Sequence, residues 1–143
     1  MFEFNECFIT DVLFELEKRI ILMKISCGTD IIEINRIQDA IEKYEEKFKK
    51  EIFTLKEVEY CESHKLQRFQ HYAVRFAAKE AIFKAISSKL DKNYSWTDFE
   101  IVNNDIGKPE VYLKKAIPEI ESIDVSLSHC KEYAVASVVV LLK

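Results

Sequence analysis

Glycine and proline are almost missing, with two of each among 143 residues. So few chain breakers exclude low-complexity linkers, collagen-like repeats and disordered tracts. Cysteine is sparse too, and Cys7, Cys27, Cys61 and Cys130 nowhere form a C-x-x-C pair. That excludes a zinc ribbon and fits separate thiols in a reducing compartment better than a disulfide frame. No apolar run reaches the roughly 20 residues that span a bilayer. The first residues are acidic where a secretion signal is basic, and Asp11 interrupts their apolar stretch. Positive charge is not in excess either, and a formal net charge of −4 argues against nucleic acid as a partner. The expectation is a soluble, cytoplasmic protein of one folded domain, long enough to bury a core and free of internal repeats.

What the chain does contain is regular periodicity. Residues 1–22 place Phe8, Val12, Leu16 and Ile20 near helical spacing, among so many other apolar residues that the stripe is blunt. Met23 opens a segment of different character, so 1–22 reads as an N-terminal extension and 23–143 as the folded domain. Residues 24–34 are rich in β-branched side chains and read as a strand. Ile34, Ile37, Ile41, Tyr44 and Phe48 then recur at helical spacing and are expected to face inward. Thr54 and Glu57 form the capping-box pattern of another helix start. Residues 75–86 read as a central helix, because Ala, Lys, Glu and Arg dominate and no Gly or Pro interrupts them. Val74, Ala77, Ala78, Ala81 and Ala85 give it a face of small side chains, which lets a neighbour's backbone come close. The second half turns to strands, 96–102 and 111–113 around a turn at 103–107, then 125–130 and 133–142. The last is so apolar that it must lie centrally or under a partner subunit. The fold class is α+β, with an N-terminal strand, three helices including a long central one, and then antiparallel strands.

Several residues carry chemistry that the fold does not demand. Asp30 interrupts a run of isoleucines. A turn or cap aspartate is its ordinary meaning, but a carboxylate in apolar surroundings needs a cation or a metal. Glu80 and Lys84 lie one helical turn apart at the edge of the small face, the spacing of a solvated ion pair. Gly107-Lys108-Pro109 has the composition of an ordinary turn, whose backbone N–H groups and lysine could also receive a phosphate. Val125, Leu127 and His129 share one strand face while Ser126 and Ser128 share the other; a histidine ending an apolar face is commonly structural. His64 and His71 have no third ligand at metal spacing and read as surface histidines. Arg36, Lys43, Lys47 and Lys50 form a basic column beside Asp39, Glu42 and Glu46. That is either a mixed solvated face or a docking surface for an acidic partner.

Four segments follow one another in order: Gly28-Thr-Asp-Ile-Ile-Glu-Ile-Asn-Arg-Ile37, Arg75-Phe-Ala-Ala-Lys-Glu-Ala81 with Lys84, Gly107-Lys-Pro109, and Ser126-Leu-Ser-His129. With Phe53-Thr-Leu-Lys-Glu57 and Tyr60-Cys61, this set resembles the holo-acyl-carrier-protein synthase family, the small 4′-phosphopantetheinyl transferases, from Met23 to the C-terminus. The resemblance implies transfer of the phosphopantetheine arm of coenzyme A to a serine of an apo acyl carrier protein, releasing 3′,5′-ADP. It implies Mg²⁺ held by Asp30 and Glu80, because that ion binds phosphate oxygens alongside one or two carboxylates. Lys84 then receives phosphate oxygens, and Glu80 or a metal-ordered water takes the serine proton. Coenzyme A contacts fall on Lys79, Lys84, Gly107, Lys108, Pro109, Ser128 and His129. The acidic carrier docks on Arg36, to which helical geometry adds Lys43 and Lys47. A homotrimer with active sites between neighbouring subunits is also implied.

Two departures stand out. Phe83 replaces the family's usual serine before the lysine, and Ser87-Ser-Lys-Leu90 replaces its usual glycine-rich loop. Lys89 or Lys92 are the available substitutes for a phosphate nest built from glycine backbone. Rival readings are a non-catalytic carrier-binding module and another Mg²⁺-dependent enzyme acting on a nucleotide pyrophosphate.

Overall fold

The protein is described by a computed structural model covering residues 6–87 and 94–143. Its elements are α1 (Glu6–Leu22), β1 (Lys24–Glu33), α2 (Ile34–Ile52), α3 (Leu55–Ser63) and α4 (Arg68–Ile86). A single 3₁₀ turn (Trp96–Asp98) leads into β2 (Phe99–Asn103), β3 (Pro109–Leu113), β4 (Ile120–His129) and β5 (Tyr133–Leu142). The α+β expectation is met. Lys89 and Lys92 lie outside the described residues. On α1, Ile9, Val12, Leu13, Phe14, Leu16 and Ile20 are all exposed, in keeping with a stripe too blunt to define a buried face.

The larger sheet has the order β1-β5-β4, all antiparallel, so of the two outcomes open to the apolar C-terminal strand it takes the central place. Ala134, Ala136, Val138, Val140 and Leu142 of β5 point to the inner face and are buried. On the outer face Ile25, Ile31, Tyr133 and Val139 are exposed. The inner face is covered by α4, which lies against β1 and β5. That contact depends on small residues. A Cβ on Gly28 would collide with the main-chain oxygen of Ala81, so glycine alone lets β1 and α4 approach so closely. The other side of α4 is covered by α2, α3 and the β2–β3 hairpin. With partners on two sides, α4 is buried almost all round, and it begins at Arg68 rather than Arg75.

Helix α2 differs from a regular amphipathic helix. Ile34, Ile37 and Ile41 are buried as expected, but Tyr44 is 52% exposed, with the Lys43 ammonium 4.9 Å above its ring. The cause is Glu45, whose φ of 45° and ψ of −128° break the helix into two segments. Helical spacing does not carry across that break. Arg36 and Lys43 belong to the first segment and Lys47 to the second, which corrects the single basic column. A non-glycine residue with such a backbone stores strain on the order of 1–3 kcal/mol. Glu45→Gly is therefore expected to stabilise the protein, by about 1 kcal/mol in urea denaturation, once the entropy lost by glycine is deducted. An unchanged midpoint would remove the strain from Glu45.

Candidate active site

Asp30 and Lys84 are 54 residues apart and meet where β1 crosses the C-terminal half of α4. The Lys84 ammonium donates to Asp30 Oδ1 at 2.7 Å and to the Thr29 carbonyl at 3.1 Å. Asp30, at 15% side-chain exposure, lies on the inner face of β1 with Gly28 and Ile32, whereas the Lys84 side chain is half exposed. Glu80 stands beside them. Burial raises its pKa first, and the Asp30 carboxylate raises it further, while the Lys84 ammonium opposes both. The Asp30 contact in turn raises the pKa of Lys84. The expected Glu80–Lys84 pair is replaced by Asp30–Lys84, the carboxylate that the ammonium reaches across from α4 to β1.

Two backbone contacts fix this geometry. Ala81 is pressed on Gly28, and the Ser26 hydroxyl donates to the Ala85 carbonyl. The residue after each of Glu80 and Lys84 is thus pinned to β1. No group of three or more His, Cys, Asp or Glu that could hold a metal is found among the described residues. Two crowded carboxylates with raised proton affinity on one of them suit an ion that takes few protein ligands and completes its shell from phosphates, as Mg²⁺ does.

Lys79 is a correction. Its side chain is fully buried, and its three donors are spent on Glu57 Oε2 at 2.8 Å, the Ile52 carbonyl at 2.8 Å and the Trp96 carbonyl at 2.9 Å. None remains for a phosphate. Glu57 closes the capping box with Thr54 as expected, and also accepts from the Ile101 N–H at 2.9 Å. Phe83 likewise points away from the carboxylates. It packs edge-on against Trp96 and Phe99, at centroid distances of 5.1 and 5.4 Å. The bulky departure at this position fills an aromatic cluster rather than the site.

A second cluster lines a cleft of about 430 Å³ between α3, the start of α4, the β2–β3 hairpin and β4. Here the structure brings together Gly107, Lys108, Pro109 and His129, with Tyr60, His71 and Arg75. Arg75 was visible in the sequence only as part of a motif. It is buried, stacks 4.1 Å from the Tyr60 ring, and ties α4 to the hairpin through the Ile101 carbonyl and Asn103 Oδ1. His71 is not a surface histidine. It packs against Tyr60, His64 and His129, and burial first, then the nearby His64, Arg75 and His129, lowers its pKa to about 4. It is neutral at pH 7, with Nε2 buried and unpartnered among the described residues. The hairpin backbone is also less available than expected. The N–H groups of Gly107 and Lys108 donate to the carbonyl and Oδ1 of Asn104, and Pro109 has none. What remains is the Lys108 ammonium, 3.1 Å from Asp124. Ser128 is exposed on the outer sheet face opposite Val135, so it does not join His129 in the cleft.

An α+β chain with a half-buried carboxylate pair, an attendant lysine and a separate cationic cleft is equipped to handle a phosphate-rich substrate. The chain belongs to the 4′-phosphopantetheinyl transferase superfamily, whose model matches residues 26–138. Within that superfamily its relatives are holo-[acyl-carrier-protein] synthases. The one from Ruminiclostridium cellulolyticum is 47% identical over 126 residues, covering 84% of this chain and 94% of the relative. That from Protochlamydia amoebophila is 41% identical, covering 80% and 95%. Among solved structures, the Bacillus anthracis holo-(acyl-carrier-protein) synthase in complex with CoA (3′,5′-ADP) superposes with a TM-score of 0.72 at 37% identity, over 85% of this chain and 99% of that one. The Helicobacter pylori enzyme in complex with coenzyme A gives 0.71 at 30% identity, over 80% and 98%.

Proposed function

We propose that this protein is a holo-acyl-carrier-protein synthase acting in the cytoplasm. It moves 4′-phosphopantetheine from coenzyme A to a serine of an apo acyl carrier protein. The serine oxygen bonds to the phosphorus that bears the pantetheine arm, the P–O bond to 3′,5′-ADP breaks, and the serine proton leaves. One observation carries this reading: Asp30, Glu80 and Lys84, from two elements far apart in sequence, converge on a single point. The family match and the coenzyme A-bound relatives support it.

Asp30 and Glu80 would hold Mg²⁺, which would supply neutralisation of pyrophosphate charge and stabilisation of the departing phosphate. Glu80, or a water ordered by the metal, accepts the serine proton. Lys84 offers a mobile ammonium to phosphate oxygens. Lys108, His129 and Arg75 line the cleft for the nucleotide end. The exposed Arg36 and Lys43 of α2 dock the acidic carrier, with Lys47 beyond the kink. Residues 1–22 are an extension outside the transferase domain of 23–143.

Within one chain the two clusters face different ways. Arg75 and Lys84 are nine residues apart on α4, about 13 Å along its axis and half a turn round it. A homotrimer that joins the carboxylates of one subunit to the cleft of the next solves this. It also covers the exposed Ile25, Ile31 and Val139. Incubation with apo carrier, coenzyme A and Mg²⁺ is expected to add one phosphopantetheine mass to the carrier. Hydrolysis of coenzyme A without any carrier gain would replace this reading with a pyrophosphatase.

A further inference from the structure

The Lys84–Asp30 contact bears on the order of events at the site. Lys84 is half exposed, yet its ammonium reaches inward to a carboxylate that is only 15% exposed, and takes the Thr29 carbonyl as a second partner. Glu80 forms no ion pair among the described residues; its nearest charges are those of Asp30 and Lys84. Two carboxylates therefore share one cation, and that cation is the lysine. A divalent ion bound by both carboxylates would stand against the ammonium, and like charges at contact distance repel strongly in a half-buried site. The backbone of this segment cannot retreat, because Ser26 and Gly28 hold Ala85 and Ala81 to β1. The lysine stem can, since its rotatable bonds lead directly to solvent.

We propose that Lys84 is the counter-ion of Asp30 in the metal-free protein and that the incoming divalent cation displaces it. This deepens the transferase reading, on which it rests for the destination of the freed ammonium: the phosphate oxygens of coenzyme A. Metal and lysine compete for one carboxylate, so metal binding itself releases the phosphate-binding lysine. The lysine also keeps Asp30 from standing uncompensated between turnovers.

The competition predicts an effect of unusual sign. Lys84→Met, a variant of a phosphate-binding residue, should bind the metal more tightly than the wild type. The test is calorimetric titration of Mg²⁺, repeated with Mn²⁺ by electron paramagnetic resonance, into the full chain without coenzyme A or carrier at low salt. Lys84→Met is expected to lower the metal Kd about tenfold, and the gap to narrow at high salt. Asp30→Asn should weaken binding and remove the effect of the second substitution in the double variant. An unchanged or weaker metal affinity in Lys84→Met, with a native circular dichroism spectrum, overturns the proposal. Because no substrate is present, the two readings fail separately. A chain without transferase activity can still show the tighter Kd, and an active enzyme can still lack it.

Discussion

Lys79→Met will destabilise the protein by about 3–5 kcal/mol, read as a fall in the urea midpoint at constant m-value. The substitution removes a fully buried ammonium that holds Glu57, the end of α2 and the 3₁₀ turn at once. Glu57 keeps two backbone donors, Thr54 N–H and Ile101 N–H, but loses its counter-charge in a site with no exposure to water. The pKa of Lys79 is lowered by burial and raised again by Glu57, which is the mark of a charge that survives only through its partner. The double variant Lys79→Met, Glu57→Gln should recover only part of the loss: no buried charge is left unpaired, but Ile101 N–H and Thr54 N–H donate to different oxygens of Glu57, and a single amide oxygen can accept from one of them. If Lys79→Met melted like the wild type, the pair would have no role in holding α4 in place.

Glu80→Gln is expected to lower the rate of carrier modification by about 10²–10⁴-fold, the usual share of a positioned proton acceptor. The fold should be untouched, since Glu80 is at the edge of the buried face and makes no structural ion pair among the described residues. The amide keeps the size of the carboxylate but can neither accept the serine proton nor balance a divalent charge. Asp30→Asn should lose activity through metal binding instead, seen as a raised Mg²⁺ requirement. Retention of near wild-type turnover by Glu80→Gln at saturating Mg²⁺ would take Glu80 out of the chemistry.

Much of this site was legible in the sequence, and the parts that were not share a cause. Asp30, Glu80 and Lys84 were visible locally as a carboxylate in apolar company and a helical pair, whose ordinary meanings are a turn aspartate and a solvated ion pair, and it was the family resemblance that joined them into one site. Lys79 has no local mark of burial, because its partners come from Glu57, Ile52 and Trp96, up to 27 residues away. His71 looked like a surface histidine because nothing nearby in sequence announces the packing of His64, Tyr60 and His129 around it. The hairpin at Gly107 suggested free N–H groups, yet one asparagine, Asn104, accepts both. Tyr44 fitted a helical stripe that the backbone at Glu45 interrupts.

Periodicity, composition and capping chemistry were enough to place the helices and strands, the apolar C-terminal strand and the small face of the central helix, while the candidate carboxylates stood out only through the family resemblance. Those properties depend on neighbours within about two helical turns or one strand, which any stretch of sequence displays. The tertiary structure decided which cation answers which carboxylate, which side of Phe83 is filled, and that the carboxylates and the cationic cleft lie on opposite sides of α4. Such outcomes are set by burial against elements distant in the chain, where desolvation determines the partner each charge must find.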